Sequence, residues 1–184
     1  MKALTAEQVA SYRTNGFLFP IPALTAEEIT TCLAGLERLE TELGCAVADA
    51  DVKWRSHAYA HSPWFNDLVR HPRILDAVED VIGPDILCWG TTFFTKEARN
   101  PSYVSWHQDS TYWGLEPPDI ITAWVAFTDS NSANGAMRVI PGTHKMDQVP
   151  HRDTFAADNL LSRGQEIGSG SERARRGDAG TRGR

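Results

Sequence analysis

The spacing of apolar residues changes once along this chain, near residue 86, and that change restricts the fold more than any other feature. Up to Ile82 the apolar side chains recur every three or four positions, the spacing of a helix face. Ile29, Cys32, Leu33, Leu36, Leu39 and Leu43 make one such face, and Ile74, Leu75, Val78, Val81 and Ile82 make another. Beyond residue 86 they come in short β-branched and aromatic runs: 86–95 (ILCWGTTFFT), 103–109 (YVSWHQD), 120–128 (IITAWVAFT) and 137–140. Runs of this kind predict strands. The run at 120–128 is apolar on both alternating faces, as expected of a strand buried between layers.

The helices are well punctuated. Thr5 with Gln8, and Thr25 with Glu28, have the spacing of a capping box. Asn15-Gly16 and Gly44 are the matching stops. Ser62-Pro63 predicts a cap with proline at the first helical position, and Pro72 opens another helix that ends at Gly83-Pro84. Asn134-Gly135 marks a turn between strands, and Pro141-Gly142 ends the last strand. Helices first and antiparallel strands afterwards predict an α+β protein, its N-terminal helices packed on a β-sandwich or jelly roll.

Residues 1–167 are expected to form one domain, since a chain of 184 residues buries a sizeable core. Residues 168–184 (GSGSERARRGDAGTRGR) contain no Val, Ile, Leu, Met or aromatic residue, and disorder is expected there. This tail holds five Arg against Glu172 and Asp178; the rest holds 13 Lys+Arg against 22 Asp+Glu. An acidic body argues against nucleic acid or an anionic membrane as the main partner. The cysteines, Cys32, Cys45 and Cys88, lie far apart with no C-x-x-C, which suits a reducing compartment. The N-terminal stretch has no apolar run long enough for a signal peptide or membrane span. A soluble cytoplasmic protein is expected.

Trp106-His107-Gln108-Asp109 carries the chemistry. Residues two apart on a strand point the same way, so His107 and Asp109 would present an imidazole and a carboxylate to one point. That is two thirds of the 2-His-1-carboxylate triad that holds iron(II) and leaves coordination positions open. The blander alternative is a half-buried histidine hydrogen-bonded to a nearby carboxylate. Nothing in the chain resembles a zinc-hydrolase motif with a positioned general base.

The longer run WHQDSTYWGLEPPDIITAWVAFTDSNSANGAMRVIPGTHK, residues 106–145, resembles the core signature of the phytanoyl-CoA dioxygenase family. Its parts are His107/Asp109, a strand bearing Trp124, the Asn134-Gly135 turn and the strand ending Pro141-Gly142-Thr143-His144. FFTKEARNPSYVSWHQD, the N-terminal helices and DNLLSRGQEI at 158–167 also look like this family, so the resemblance covers roughly residues 5–167. It implies a double-stranded β-helix, here without its last strands. It implies Fe(II), 2-oxoglutarate as cosubstrate and dioxygen, and hydroxylation of a small organic substrate as 2-oxoglutarate becomes succinate. His107 and Asp109 would be metal ligands.

The resemblance implies further roles, each beside a plainer alternative. Trp124 would wall the 2-oxoglutarate pocket, or be a core residue. Thr92, on one strand face with Cys88 and Phe94, would lie near the cosubstrate, or simply pack. Lys96 would face an anionic group of the substrate pocket, or be solvated. Arg55, with Lys53 and His57, would reach over the site mouth to acidic groups, or lie in a solvated loop. Tyr112 and Trp113 would shape the substrate pocket. The family's second iron-binding His, and the Arg that grips the far carboxylate of 2-oxoglutarate, have no counterpart here. Only His144 and His151 follow Asp109, and in the family the His of the Pro-Gly-Thr-His loop is not a ligand. The change of text after Ile167 is what a shifted reading frame would produce. The expected alternative function is an inactive family member or an interaction module, with exposed sheet edges and low stability.

Overall fold

The computed structural model describes residues 1–117 and 119–167. The Gly/Arg-rich tail lies outside the described residues. Among them are six α-helices: α1 (Ala6–Asn15), α2 (Ala26–Leu43), α3 (Val52–His57), α4 (Pro63–Val69), α5 (Pro72–Ile82) and α6 (Ser110–Trp113). Two short strands, β1 (His151–Arg152) and β2 (Glu166–Ile167), pair antiparallel, with His151 opposite Ile167. None of these helices is long and apolar enough to cross a membrane. All three cysteines are free thiols.

The helix boundaries fall where the capping chemistry places them. Thr25 Oγ1 accepts from the Glu28 N–H at 3.2 Å, and the Glu28 carboxylate accepts from the Thr25 N–H at 2.7 Å. Thr5 and Gln8 make the same reciprocal pair ahead of α1. Gly44, in the left-handed region at φ 69°, ends α2. Ser62 stands at the N-cap of α4, but its side chain makes no capping bond.

The chain divides into two compact units: Met1–Val9, Phe19–Glu97 and Ile121–Ala136 form the first, and Ala10–Leu18, Ala98–Ile120 and the described residues from Met137 form the second. The first unit is helical around Cys32, Ala58, Phe65 and Leu68, with Leu24, Trp64, Ile74, Phe93 and Phe127 packed against them. The Phe65 and Phe93 rings stack 4.6 Å apart. On α2 the buried positions are Cys32, Gly35 and Leu39, whereas Leu33 is exposed. Gly35 takes the place expected of Leu33, because the Trp64 indole lies directly on its Cα. On α5 Ala77 is the buried residue and Ile82 is exposed.

The runs expected as strands at 86–95, 103–109, 120–128 and 137–140 are not strands in this structure. An extended segment becomes a strand only by pairing its N–H and C=O groups along a ladder, and here such bonds are isolated. Thr91 and Phe93 donate to the carbonyls of Ser56 and Arg55 at 3.1 and 3.0 Å. Tyr103 exchanges bonds with Asp158 and Leu160, and Ile167 N–H reaches Trp106 O at 2.9 Å. The run at 120–128 is half-buried on one face and open on the other: Val125 and Phe127 are half-buried, and Trp124 and Ala126 are exposed. The segment expected as a solvated loop around Lys53 and Arg55 is instead helix α3, capped by Asp51 on the Lys53 N–H at 2.9 Å.

Candidate metal centre

His107 lies in the second unit, where an irregular extended stretch gives way to the single turn α6. Asp109 already has helical backbone angles, φ −58° and ψ −37°. The two side chains thus meet at the point where the extended stretch ends and the helical turn begins. His107 Nε2 lies 3.0 Å from Asp109 Oδ1. His107 Nδ1 lies 2.8 Å from the Ser105 carbonyl, a bond that places the ring proton on Nδ1 and aims the Nε2 lone pair at Asp109.

Two acceptors facing each other need a proton or a cation between them. Adjacent ligands bound at right angles, each about 2.1 Å from a metal, are about 3 Å apart. The Nε2 to Oδ1 separation of 3.0 Å therefore fits one edge of a coordination polyhedron. Without a metal, a second ring proton satisfies both partners. Burial pushes the His107 pKa down, but the Asp109 bond, the Ser105 carbonyl and the Asp109 charge outweigh it, so the net shift is upward.

A frame of hydrogen bonds holds this pair. Gln108 turns away from its neighbours: its N–H donates to His151 Nε2 at 2.9 Å, and its Oε1 accepts from the Val149 N–H at 2.8 Å. His151 Nδ1 donates to Val149 O at 2.7 Å, so both its nitrogens are used. Ser105 Oγ donates to Gln165 O at 2.5 Å and accepts from Asn159 Nδ2 at 2.8 Å. The Tyr112 ring meets His107 edge-on at 6.0 Å, with the Arg163 guanidinium 5.5 Å over the tyrosine ring. Sequence reasoning singled out 158–167 as family-like but gave Ser105, Asn159 and Gln165 no role; only their register beside residues 103–107 reveals one.

His144 is committed elsewhere, donating through Nε2 to the Arg13 carbonyl at 3.1 Å. Among the described residues no cluster of three or more His, Cys, Asp or Glu side chains is placed to hold a metal.

The predicted site residues fall in both units. His107, Asp109, Tyr112 and Trp113 belong to the second; Arg55, Thr92, Lys96 and Trp124 belong to the first. Arg55, Thr92 and Lys96 are exposed, and Trp124 is 44% exposed, which removes its core alternative. Thr92 and Phe94 are exposed while Cys88 is half-buried, so the three do not share an environment as expected. Phe93, between Thr92 and Phe94, enters the core instead. Lys96 Nζ reaches over Gly135, where an added Cβ would lie 3.1 Å from it.

The sequence model described as phytanoyl-CoA dioxygenase (PhyH) matches residues 12–178. Among curated proteins, an ectoine dioxygenase of Bordetella parapertussis is 28% identical over 155 residues, covering 78% of this chain and 50% of that protein. A probable phytanoyl-CoA dioxygenase of Caenorhabditis elegans is 33% identical, covering 80% of this chain and 55% of that protein. Human peroxisomal phytanoyl-CoA dioxygenase is 31% identical, covering 80% and 50%. The apo structure of the non-heme monooxygenase ThoJ superposes with a TM-score of 0.70 at 32% identity, over 87% of this chain and 58% of that one. The chain thus spans about half the length of the curated relatives it matches.

Proposed function

The chain belongs to the phytanoyl-CoA dioxygenase family, and from that premise we propose that it is an iron(II)- and 2-oxoglutarate-dependent dioxygenase that hydroxylates a small organic substrate. One observation carries the reading: His107 Nε2 and Asp109 Oδ1 converge to 3.0 Å, with the other ring nitrogen already bound. In this reading His107 and Asp109 hold the metal, and the fold is a double-stranded β-helix. Ferrous iron with 2-oxoglutarate supplies the oxidising power for an unactivated C–H bond.

The protein's own part is positioning. Ser105 fixes the imidazole tautomer, and the Gln108–His151 pair anchors the backbone from which both ligands project. Tyr112 and Trp113, on the turn that follows Asp109, shape the substrate pocket. The family resemblance assigns Trp124, Thr92 and Arg55 to the cosubstrate and Lys96 to the substrate. The relatives named for ectoine and for phytanoyl-CoA bracket the candidate substrates, a small polar solute or an acyl thioester. A cytoplasmic location, expected from the cysteines, belongs to the same proposal.

The test is succinate formation from 2-oxoglutarate with added iron(II) and ascorbate. Turnover that disappears in His107→Ala supports the assignment. Equal turnover in that variant rejects it. A second reading, an inactive member or interaction module, has one observation in its favour: among the described residues no cluster of three metal-holding side chains forms. Folded protein without turnover selects it.

A further inference from the structure

We propose that the His107–Asp109 site is completed by a second copy of this chain, so that one divalent ion is held between two copies by two imidazoles and two carboxylates. The inference rests on the metal-ligand assignment above and adds what fills the rest of the coordination sphere.

His107 Nε2 and Asp109 Oδ1, 3.0 Å apart, span one edge of a coordination polyhedron and no more. Well-bound first-row divalent ions take three or more protein ligands. The described residues do not supply a third: no cluster of three or more His, Cys, Asp or Glu side chains forms among them. The two histidines that follow Asp109 are already engaged. His144 Nε2 donates to the Arg13 carbonyl. His151 uses both its nitrogens, one on the Gln108 N–H and the other on the Val149 carbonyl. No histidine occurs after residue 151.

The carboxylate is open to solvent. The Asp109 side chain is 47% exposed and the His107 side chain 18%, so another chain can approach the ion from the Asp109 side. Identical chains associate most simply about a two-fold axis, across which each surface meets its own counterpart. An axis through the ion sets a second His107–Asp109 edge opposite the first and makes a four-ligand set from two copies of a two-ligand one.

Charge agrees with that number. A dication bound by one carboxylate and a neutral imidazole keeps a net positive charge, and a second carboxylate cancels it. An interface that withdraws the ion from water favours the neutral set. The chain on either side of the pair also suits an interface, since Val104, Trp106 and Leu115 are all exposed. Aromatic and apolar side chains of this kind are what the centre of a protein interface covers. Each copy has a net charge of −6, so the copies repel one another without the ion, and association is expected to depend on metal.

Sedimentation velocity and calorimetry with Mn(II) on the full chain test this. Metal-free protein is expected to sediment as a single chain. Added Mn(II) should produce a species of twice that mass, with one ion bound for two chains, and EDTA should return the single chain. His107→Ala should abolish the Mn(II)-dependent dimer, and so should Asp109→Asn, which keeps the size of the side chain. One ion per chain on a single-chain species overturns the bridge and leaves the two-ligand metal reading standing. A dimer that forms without metal, or one that both variants still form with Mn(II), also overturns it, because the ion would not join the copies through this pair. No Mn(II) bound by the parent chain rejects the metal reading and the bridge with it.

Discussion

His144 lies flat against Gly16, so closely that a Cβ at Gly16 would be 2.3 Å from its Nδ1 and 2.6 Å from its Cγ. Gly16 has φ 84°, and the neighbouring Gly142 N–H donates to Asn15 O at 2.8 Å. The Pro-Gly-Thr-His loop therefore caps the C-terminus of α1, and that accounts for its histidine.

Gly16→Ala meets two penalties, a left-handed backbone and a His144 ring that must shift and strain its bond to the Arg13 carbonyl. We expect a loss of about 2–4 kcal/mol, read as a lower urea midpoint. In a His144→Ala background the same change should cost only the backbone share, about 1 kcal/mol. Equal costs in the two backgrounds would show that the contact carries no energy.

Gly35 sets two effects of opposite sign against each other. Alanine raises helix propensity by about 1 kcal/mol over glycine. Its Cβ, however, would come within 2.7 Å of the Trp64 indole, and overpacking costs about 1–3 kcal/mol. The ring lies broadside against α2 within the core, so packing is expected to win and Gly35→Ala to destabilise. A raised melting temperature would show that Trp64 swings aside.

Asp80 contributes to the acid limb of stability. Its side chain is only 4% accessible, and its carboxylate accepts from the N–H groups of Leu4, Ala3 and Lys2 at 2.7–3.0 Å. These bonds, led by those from Leu4 and Ala3, hold its pKa below the ordinary carboxylate value. The contribution is therefore full above the unfolded-state pKa of about 3.9 and is lost as pH falls through the lower folded value. Asp80→Asn should flatten the dependence of the urea midpoint on pH below about 4. An unchanged acid limb would assign the loss to other carboxylates.

The helical half was readable because its signals are local. Thr25, Glu28 and Gly44 fix both ends of α2 within a few residues of chain, and nothing distant is needed. The second half was readable as β-prone text but not as strands, because a strand is defined by a partner far along the chain. At 120–128 the pattern looked two-sided, yet the structure half-buries Val125 and Phe127 and leaves Trp124 exposed. His107 and Asp109 were legible as a pair from their two-residue spacing, although no strand ladder forms around them. Ser105 and Gln165 were invisible because their significance lies in register, which no single segment encodes.

Gln108 separates the roles of ligand and frame. It sits between His107 and Asp109, but its polar atoms bind His151 and the main chain at Val149. Its N–H belongs to the backbone and survives substitution, whereas its Oε1 does not. Gln108→Leu would therefore leave the Val149 N–H unpaired, at a cost of about 1–2 kcal/mol, and loosen the main chain between the two ligands. A weaker site without loss of either ligand should result. By calorimetry with Mn(II), His107→Ala and Asp109→Ala are expected to lower affinity at least about 10-fold each, one ligand lost from an already small set. Gln108→Leu should lower it less, with the drop accompanied by a lower urea midpoint. A Gln108→Leu protein as stable as the parent but unable to bind Mn(II) would make the glutamine a direct partner of the metal and displace it from the frame.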